Sequence, residues 1–345
     1  MASKTARTIL LTGASGVIGR ALPEYLSGHR VIGLVHSDSD LPDVAEVLRG
    51  DLAEERFGLD RSTWDRLAGE VDMIVHSGAL TTWGQPWPRY EAVNIGGMRH
   101  VVELARRSGA PVHLVSTCFV RAIELGRLDE LGPDNVVRPY IRSKLAAEHM
   151  LAASGVPYNI YRPTNLVGDS RTGASSQPQI VQAMSDWFCR GKAPFFPAHE
   201  GNLVDVIPLD VTAVAIARAV LADDLGNTHW LTYGADAMSV VEAQTILREH
   251  AATTGREIPE VPVVDPRLPL PVPLARVAAT SRTFLKVLID VSEVTHASGG
   301  VLPSSMRELG DRFGVPMPSD RFAYRQSLNY WTAVRENARA VKEIA

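Results

Sequence analysis

A chain of 345 residues with 45% hydrophobic and 21% charged residues has the composition of an ordinary globular protein, long enough for one large domain or two unequal ones. Its formal net charge of −4 gives no electrostatic reason to expect nucleic acid, and two cysteines, Cys118 and Cys189, support neither a disulfide framework nor a metal site. No apolar run approaches the ~18 residues that span a bilayer, and "MASKTARTILLTG" lacks an apolar leader with a cleavage site, so the plain reading is a soluble, cytoplasmic protein with no membrane span.

In chain order, "RTILLTGASGVIGRALPEYL" (7–26) begins with a short apolar run, passes through glycines and continues at helical spacing, which predicts strand, tight turn and helix. "HRVIGLVH" (29–36), "VDMIVHSGA" (71–79), "PVHLVST" (111–117) and "PYNIYRP" (157–163) read as further strands, since unbroken apolar runs suit strands covered on both faces. Between them lie helices such as "YEAVNIGGMRHVVELARRSG" (90–109), with apolar residues every three or four positions and Gly109 as the stop. Alternating strands and helices predict a doubly wound parallel sheet.

Composition changes after about residue 165. "VGDSRTGASSQPQ" (167–179) is polar and rich in small residues, as a loop leaving the sheet would be. "LVDVIPLDVTAVAIARAVLA" (203–222) reads as a strand and helix returning to the main domain, and "HWLTYG" (229–234) as another strand. The prolines of "PEVPVVDPRLPLPVP" (259–273) predict an extended connection, and "LARVAATSRTFLKVLIDV" (274–291) a helix. That helix packs between domains, covers a substrate pocket or lies on a membrane, and its few basic residues speak against the last. The expected fold class is α/β, a Rossmann-type doubly wound parallel sheet with a smaller C-terminal substrate-binding domain. Residues 1–165 would form the dinucleotide-binding domain, with 203–235 returning to it, and 166–202 and 236–345 the substrate-binding region.

"TGASGVIG" places Gly13, Gly16 and Gly19 between the first strand and first helix. Glycine lets the backbone approach a pyrophosphate, and the helix N-terminus offers free N–H donors and a positive dipole. A structural turn is the competing explanation, but the strand–turn–helix context favours a dinucleotide. NAD sites place an acid at the end of the second strand, about 20 residues past the glycines. Here Val35 and His36 stand there and the first acid, Asp38, comes later, while Arg20 is placed to reach a 2′-phosphate. NADP(H) is therefore the preferred cofactor, with NAD(H) as the alternative. Asp51 of "GDL" is either an adenine ligand or an ordinary turn aspartate.

"RPYIRSKLAAEHML" (138–151) sets Tyr140 and Lys144 four positions apart, on one face of a helix. A neighbouring ammonium favours phenolate, lowering a reference pKa of about 10. Tyr140 would then exchange a proton with a carbonyl or alcohol oxygen.

Taken together, "TGASGVIG", "GDL", "HSGAL", "VNIGG", "LVST" and "YIRSK" resemble the extended short-chain dehydrogenase/reductases, over roughly residues 7–235. The resemblance implies that the loop Gly13, Ala14, Ser15, Gly16, Val17, Ile18, Gly19 binds pyrophosphate, with Arg20 and His36 near the adenosine ribose. Asp51 and Leu52 would contact adenine, and Ser77, Gly78, Ala79 and Asn94 would line the channel. It further implies a catalytic set of Thr117, Tyr140 and Lys144, with Lys144 also holding the nicotinamide ribose. Thr117 is chosen over Ser116 because it lies three residues before Val120, as in the family pattern. Pro163, Thr164 and Asn165 of "YRPTNLVG" would lie beside the nicotinamide. Helices of this fold often build a four-helix homodimer interface, which the sequence leaves open.

Which reaction is carried by resemblance alone. "STCFVRA" lacks the acid that sugar dehydratases carry after the catalytic hydroxyl. "GDSRTG" (168–173) resembles a signature of thioester reductases, which release acyl chains from carrier proteins or coenzyme A as aldehydes or alcohols. "VDVIPLDV", with Asp210, resembles the same group, whereas His36 stands where those enzymes have arginine. A reductase of a small-molecule or carrier-bound acyl thioester is the expectation. The alternatives are a ketone or aldehyde reductase, a hydroxysteroid-dehydrogenase-like enzyme, a sugar epimerase, or a non-catalytic dinucleotide sensor. Sensors commonly lose the tyrosine or lysine, and both stand here. "WFCRGKAPFFP" (187–197) offers aromatics to an acyl pocket or to core packing.

Overall fold

Apolar strands must be covered on both faces, and here the main sheet has seven strands, all parallel, with helices on either side. The computed structural model of this chain describes residues 6–37, 40–41 and 43–344; Asp38 lies outside them. The first half comprises β1 (Thr8–Thr12), α1 (Val17–Tyr25), β2 (Arg30–Val35), β3 (Glu46–Arg49), α2 (Arg61–Glu70), β4 (Met73–His76) and α3 (Trp87–Tyr90). It continues with α4 (Gly97–Ser108), β5 (Val112–Val115), α5 (Arg121–Glu124), α6 (Arg138–Ala152) and β6 (Tyr158–Pro163). Then come β7 (Asn165–Val167), α7 (Ile180–Cys189), β8 (Phe196–Pro197), β9 (Leu203–Val204), β10 (Val206–Pro208), α8 (Leu209–Leu221) and β11 (Thr228–Leu231). The last elements are β12 (Met238–Ser239), α9 (Val240–Thr253), β13 (Val263–Val264), α10 (Ala279–Ala297), α11 (Met306–Phe313) and α12 (Asp320–Ile344).

The main sheet runs β11-β6-β5-β4-β1-β2-β3. The chain moves outward from β1 and then crosses back to β4, so the loops after β1 and β4 face each other at the topological switch point. One face is covered by α1 and α8, whose Val17, Ile18, Leu22, Val214 and Ile216 join Ile9 and Leu11 in a common core. The other is covered by α2 and α4, with Trp64, Leu67, Val101 and Leu104 against Leu10 and Ile74. Met306 and Leu309 of α11 and nearby Val315 also pack on the α1–α8 side, although they lie far along the chain.

Two elements differ from the sequence reading. The helix expected over 90–109 is broken: α3 passes into a π-helical turn, Glu91–Gly96, before α4 begins. Asn94 explains the break, because its amide exchanges hydrogen bonds with the backbone of Leu80, at 2.7 Å from Leu80 N and 3.2 Å to Leu80 O. The stop at Gly109 is a left-handed cap, φ 75°. The helix expected over 274–291 starts at Ala279 and extends to Ala297.

The "GDSRTG" loop is a clamp. Asp169 Oδ1 accepts from Arg171 N, Thr172 N and Thr172 Oγ1 at 3.1, 2.8 and 2.8 Å. Ser170 donates through N and Oγ to the two oxygens of Asp210, at 2.8 and 2.7 Å, tying the loop to α8. Gly173 is left-handed, φ 73°, and a Cβ there would collide with the carbonyl of Gln326 on α12. Gly168 N and Gln182 Nε2 both donate to Ser327 Oγ. Gly173→Ala is therefore expected to lower stability by roughly 1–3 kcal/mol, read from urea unfolding, while Arg171→Ala, at an exposed side chain, leaves the midpoint unchanged.

Candidate active site

The switch point is closed by backbone meeting backbone. Gly13 has φ 69°, and a Cβ there would lie 2.5 Å from Gly78 Cα. Gly13 N and Ala14 N both donate to Leu34 O, at 3.0 and 3.3 Å, fixing the turn on β2. A Cβ on Gly19 would strike the Gly13 carbonyl, so glycine there lets α1 pack onto the loop it leaves. Gly16 caps α1 with no side-chain hydrogen bond, and the first turn carries no acid. Val17 and Ile18 turn their side chains into the core, leaving backbone N–H groups at the positive helix end. An uncapped helix start behind a glycine turn fits a pyrophosphate.

The residues that the sequence reading assigns to the adenosine come from several segments. Leu52 reaches across to Gly78 and Gly97, where a Cβ would come within 2.8 Å of its Cδ1 and 3.1 Å of its Cβ. Asp51 Oδ1 accepts from Ala53 N at 2.8 Å, and Asp51 Oδ2 lies 3.5 Å from His36 Nε2. His36 is exposed just past β2. Arg20 folds over the loop, donating to Ser15 O and Asp40 O, each at 3.1 Å. Ser77 N and Gly78 N donate to Thr12 O and Thr12 Oγ1 at 3.2 Å, and Ala79 follows them in the same turn.

Deeper in, Thr117, Tyr140 and Lys144 come together in buried surroundings. The Thr117 hydroxyl is close enough to the Tyr140 phenol to favour its ionised form. Ser116 Oγ, one residue earlier, is buried with no partner among the described residues. The sequence reading has Lys144 drawing the phenol down; in the structure burial raises Tyr140 above its ordinary value, against a smaller lowering by the Thr117 hydroxyl. Lys144 Nζ donates to Val115 O at 2.7 Å, and burial lowers the ammonium to about 8. Behind it, His76 is buried and bonded to Thr12 Oγ1 at 2.7 Å; burial first, and Lys144 second, lower it to about 3, so it stays neutral. Asn94 Nδ2 donates to Ser143 Oγ at 2.8 Å, and Ser143 Oγ to Tyr140 O at 2.7 Å, fastening the π-helical turn to α6.

Sequence reasoning missed the charges behind this face. Glu148, one turn beyond Lys144, pairs with Arg162 at 2.5 Å, and Arg162 reaches Glu124 at 2.7 Å and stacks over Trp230 at 4.6 Å. The signal was present in "PYNIYRP", where one arginine interrupts an apolar strand. Removing one partner of such a buried pair leaves the other charge uncompensated.

Pro163, Thr164 and Asn165 end β6 and open β7. Thr164 Oγ1 and Asn165 Nδ2 both donate to Asp205 O, at 3.0 and 3.4 Å. The Asp205 carboxylate accepts from Tyr233 N and Gly234 N, and burial raises it to about 7. From Phe119, Thr164 and Asn165 a cavity of about 130 Å³ runs between α7, α9, α10 and α12. Val181, Met184, Phe188, Leu247 and Leu288 give it an apolar wall. Trp187, Phe188 and Phe196 face the cavity, whereas Phe195 is fully buried in the core. None of residues 168–173 lines it. Gly13→Ala should abolish dinucleotide binding and lower the melting temperature, because the Cβ meets backbone rather than a movable side chain; calorimetric titration with NADPH and NADH reads the first effect.

Comparison with known proteins agrees with this architecture. Residues 34–216, just over half the chain, match the NAD-binding family described as male sterility protein. A linear gramicidin synthase of Brevibacillus parabrevis is 32% identical over 194 residues, covering 52% of this chain and 4% of that synthase. The terminal R domain of the myxalamid PKS-NRPS pathway superposes with TM-score 0.72 at 25% identity, covering 95% of this chain and 91% of that domain. The reductase domain of a non-ribosomal peptide synthetase from Mycobacterium tuberculosis, at 19% identity and TM-score 0.63 over 95% and 92% of the chains, shares the fold. The chain spans only a small part of the synthetases it matches. It belongs to the male sterility protein family of extended short-chain dehydrogenase/reductases, a family of NAD(P)-dependent oxidoreductases.

Proposed function

We propose that this protein is an NADP(H)-dependent reductase that releases an acyl group from a thioester, carried by a carrier protein or coenzyme A, as an aldehyde or alcohol. The carrying observation is the apolar cavity that opens beside Thr164 and Asn165. Its mainly aliphatic and aromatic wall suits an acyl chain better than a sugar, which disfavours an epimerase. Likeness to synthetase reductase domains supports the same reading. A ketone or aldehyde reductase for apolar substrates is the second reading, since the same wall would hold one.

The glycine loop at 13–19 would hold the pyrophosphate, Asp51 and Leu52 the adenine, and Arg20 with His36 a 2′-phosphate. Lys144 would hold the nicotinamide ribose, and Pro163 to Asn165 the carboxamide edge. When bound, the nicotinamide supplies the hydride that the thioester carbonyl carbon accepts. Tyr140 gives its phenolic proton to the carbonyl oxygen. Its raised pKa keeps it protonated at neutral pH, as an acid for reduction must be. Thr117, close to that phenol, donates to the same oxygen as charge grows on it. The hemithioacetal then breaks its C–S bond, giving aldehyde and free thiol.

Tyr140→Phe is expected to fold, bind NADPH and lose turnover by roughly 10²–10⁴-fold, measured by NADPH oxidation with octanoyl-coenzyme A. Substantial turnover in that variant would remove Tyr140 from the chemistry. A protein that leaves acyl-coenzyme A and acyl-pantetheinyl carrier untouched while reducing free ketones or aldehydes would overturn the thioester reading. The Lys144 ammonium, lowered to about 8 by burial, loses its charge as pH rises through that value. NADPH affinity should therefore fall on the alkaline side with a midpoint near there, and Lys144→Met should bind more weakly at neutral pH with that limb gone.

A further inference from the structure

Three helices that wall the apolar cavity also wall a second, polar cleft, and the two share no lining residue. On α9, Val240, Ala243 and Leu247 line the cavity, and His250, at the next step of the same helical spacing, lines the cleft. On α12, Tyr324 lines the cavity, and Leu328 and Thr332, spaced by one turn each, line the cleft. At the end of α7, Phe188 belongs to the cavity and Cys189 to the cleft. Leu247 stands at the changeover. Its side chain lines the cavity, while its carbonyl accepts from Cys189 Sγ at 3.4 Å, on the cleft side. The nicotinamide-side residues lie toward the other end of α9. Val240 follows β12, which pairs with β9, and the next residue after β9 is Asp205, whose carbonyl holds Thr164 and Asn165. Leu247 is two turns farther along α9, roughly 10 Å.

We propose that Leu247 is the floor of the acyl cavity and sets the longest chain the protein accepts, an acyl group of limited length that ends in hydrocarbon. This rests on the reading of the cavity as an acyl pocket. The limit has two physical parts. The Leu247 side chain is 4% exposed and closely packed, so a chain that reaches it has no apolar space left to fill. Behind it the surroundings are ionic. Asp186 pairs with Arg190 at 2.5 Å and also with Arg335, and His250 Nε2 and Thr332 Oγ1 hydrogen-bond at 2.9 Å. Arg256 lines the same cleft. A methylene chain pushed past Leu247 would strip water from these groups and offer them no hydrogen bond in exchange. Each methylene is therefore favourable up to Leu247 and gains nothing beyond it.

The test is calorimetric binding without NADPH, so that it stands apart from turnover and from the thioester reading. Methyl butanoate, hexanoate, octanoate, decanoate and dodecanoate are titrated into wild type, Leu247→Ala and Leu247→Phe. In wild type each two-carbon step should strengthen binding roughly tenfold up to a cut-off, after which affinity stops rising. Leu247→Ala should move the cut-off to a longer ester and Leu247→Phe to a shorter one, while esters below all three cut-offs bind as in wild type. A cut-off that stays in place in both variants overturns the proposal, as does a wild type whose affinity climbs through dodecanoate. An equal loss of affinity for every ester marks a merely structural role and overturns it too. Should Leu247→Ala fail to fold, Leu247→Phe decides alone. A cut-off that moves both ways in a protein that reduces no thioester would sink the proposed reaction and keep Leu247 as the floor.

Discussion

Everything in this molecule hangs on the approach of Gly13 to Gly78, where two loops from adjacent parallel strands touch with no side chain between them. Strand order forces those loops together, because the chain leaves β1 in one direction and returns to β4 on the other side. The gap that remains is floored by Leu52 and closed at one end by an uncapped helix start. The same crossing brings β5, with Val115 and Thr117 at its end, alongside α6, so Thr117, Tyr140 and Lys144 lie along the same sheet edge as the glycines. Any residue larger than glycine at position 13 would push apart the very strands that align both ends of the site.

Burial governs the chemistry of that edge. Tyr140, Lys144 and His76 all sit out of water, and burial moves each toward its neutral form. For the tyrosine this preserves a proton to give. For the lysine it leaves a cation with a narrow working margin, held by one backbone carbonyl and by the field of Glu148. Glu148 is in turn committed to Arg162, so the lysine is supported by a chain of buried charges rather than by one contact.

Much of this was legible in the sequence. Wholly apolar runs marked the strands, glycines marked the turn, and four-residue spacing put Tyr140 beside Lys144. What escaped was long-range. The cavity wall is drawn from Val181, Leu247, Leu288 and Tyr324, each of which looks like ordinary helix core at its own position. Only tertiary packing shows that these helices leave space between them. The break at Asn94 escaped as well, because a polar side chain that bonds a distant backbone leaves no periodic trace. As a motif "GDSRTG" reads as a mark of the reaction, yet in the structure it is occupied in holding α8 and α12 together.

That clamp has a consequence for how the protein comes into being. The parallel sheet is complete once Thr228–Leu231 has joined it, whereas Tyr324 and the anchor at Gln326 and Ser327 leave the ribosome almost a hundred residues later. At about 5–20 residues per second, that interval lasts seconds. A nascent chain can thus acquire a nucleotide fold while its greasy helices α7, α9 and α10 still lack their last wall. The loop at 168–173 waits through that time as a latch without its strike plate, and the interval is when those apolar faces are most open to wrong partners.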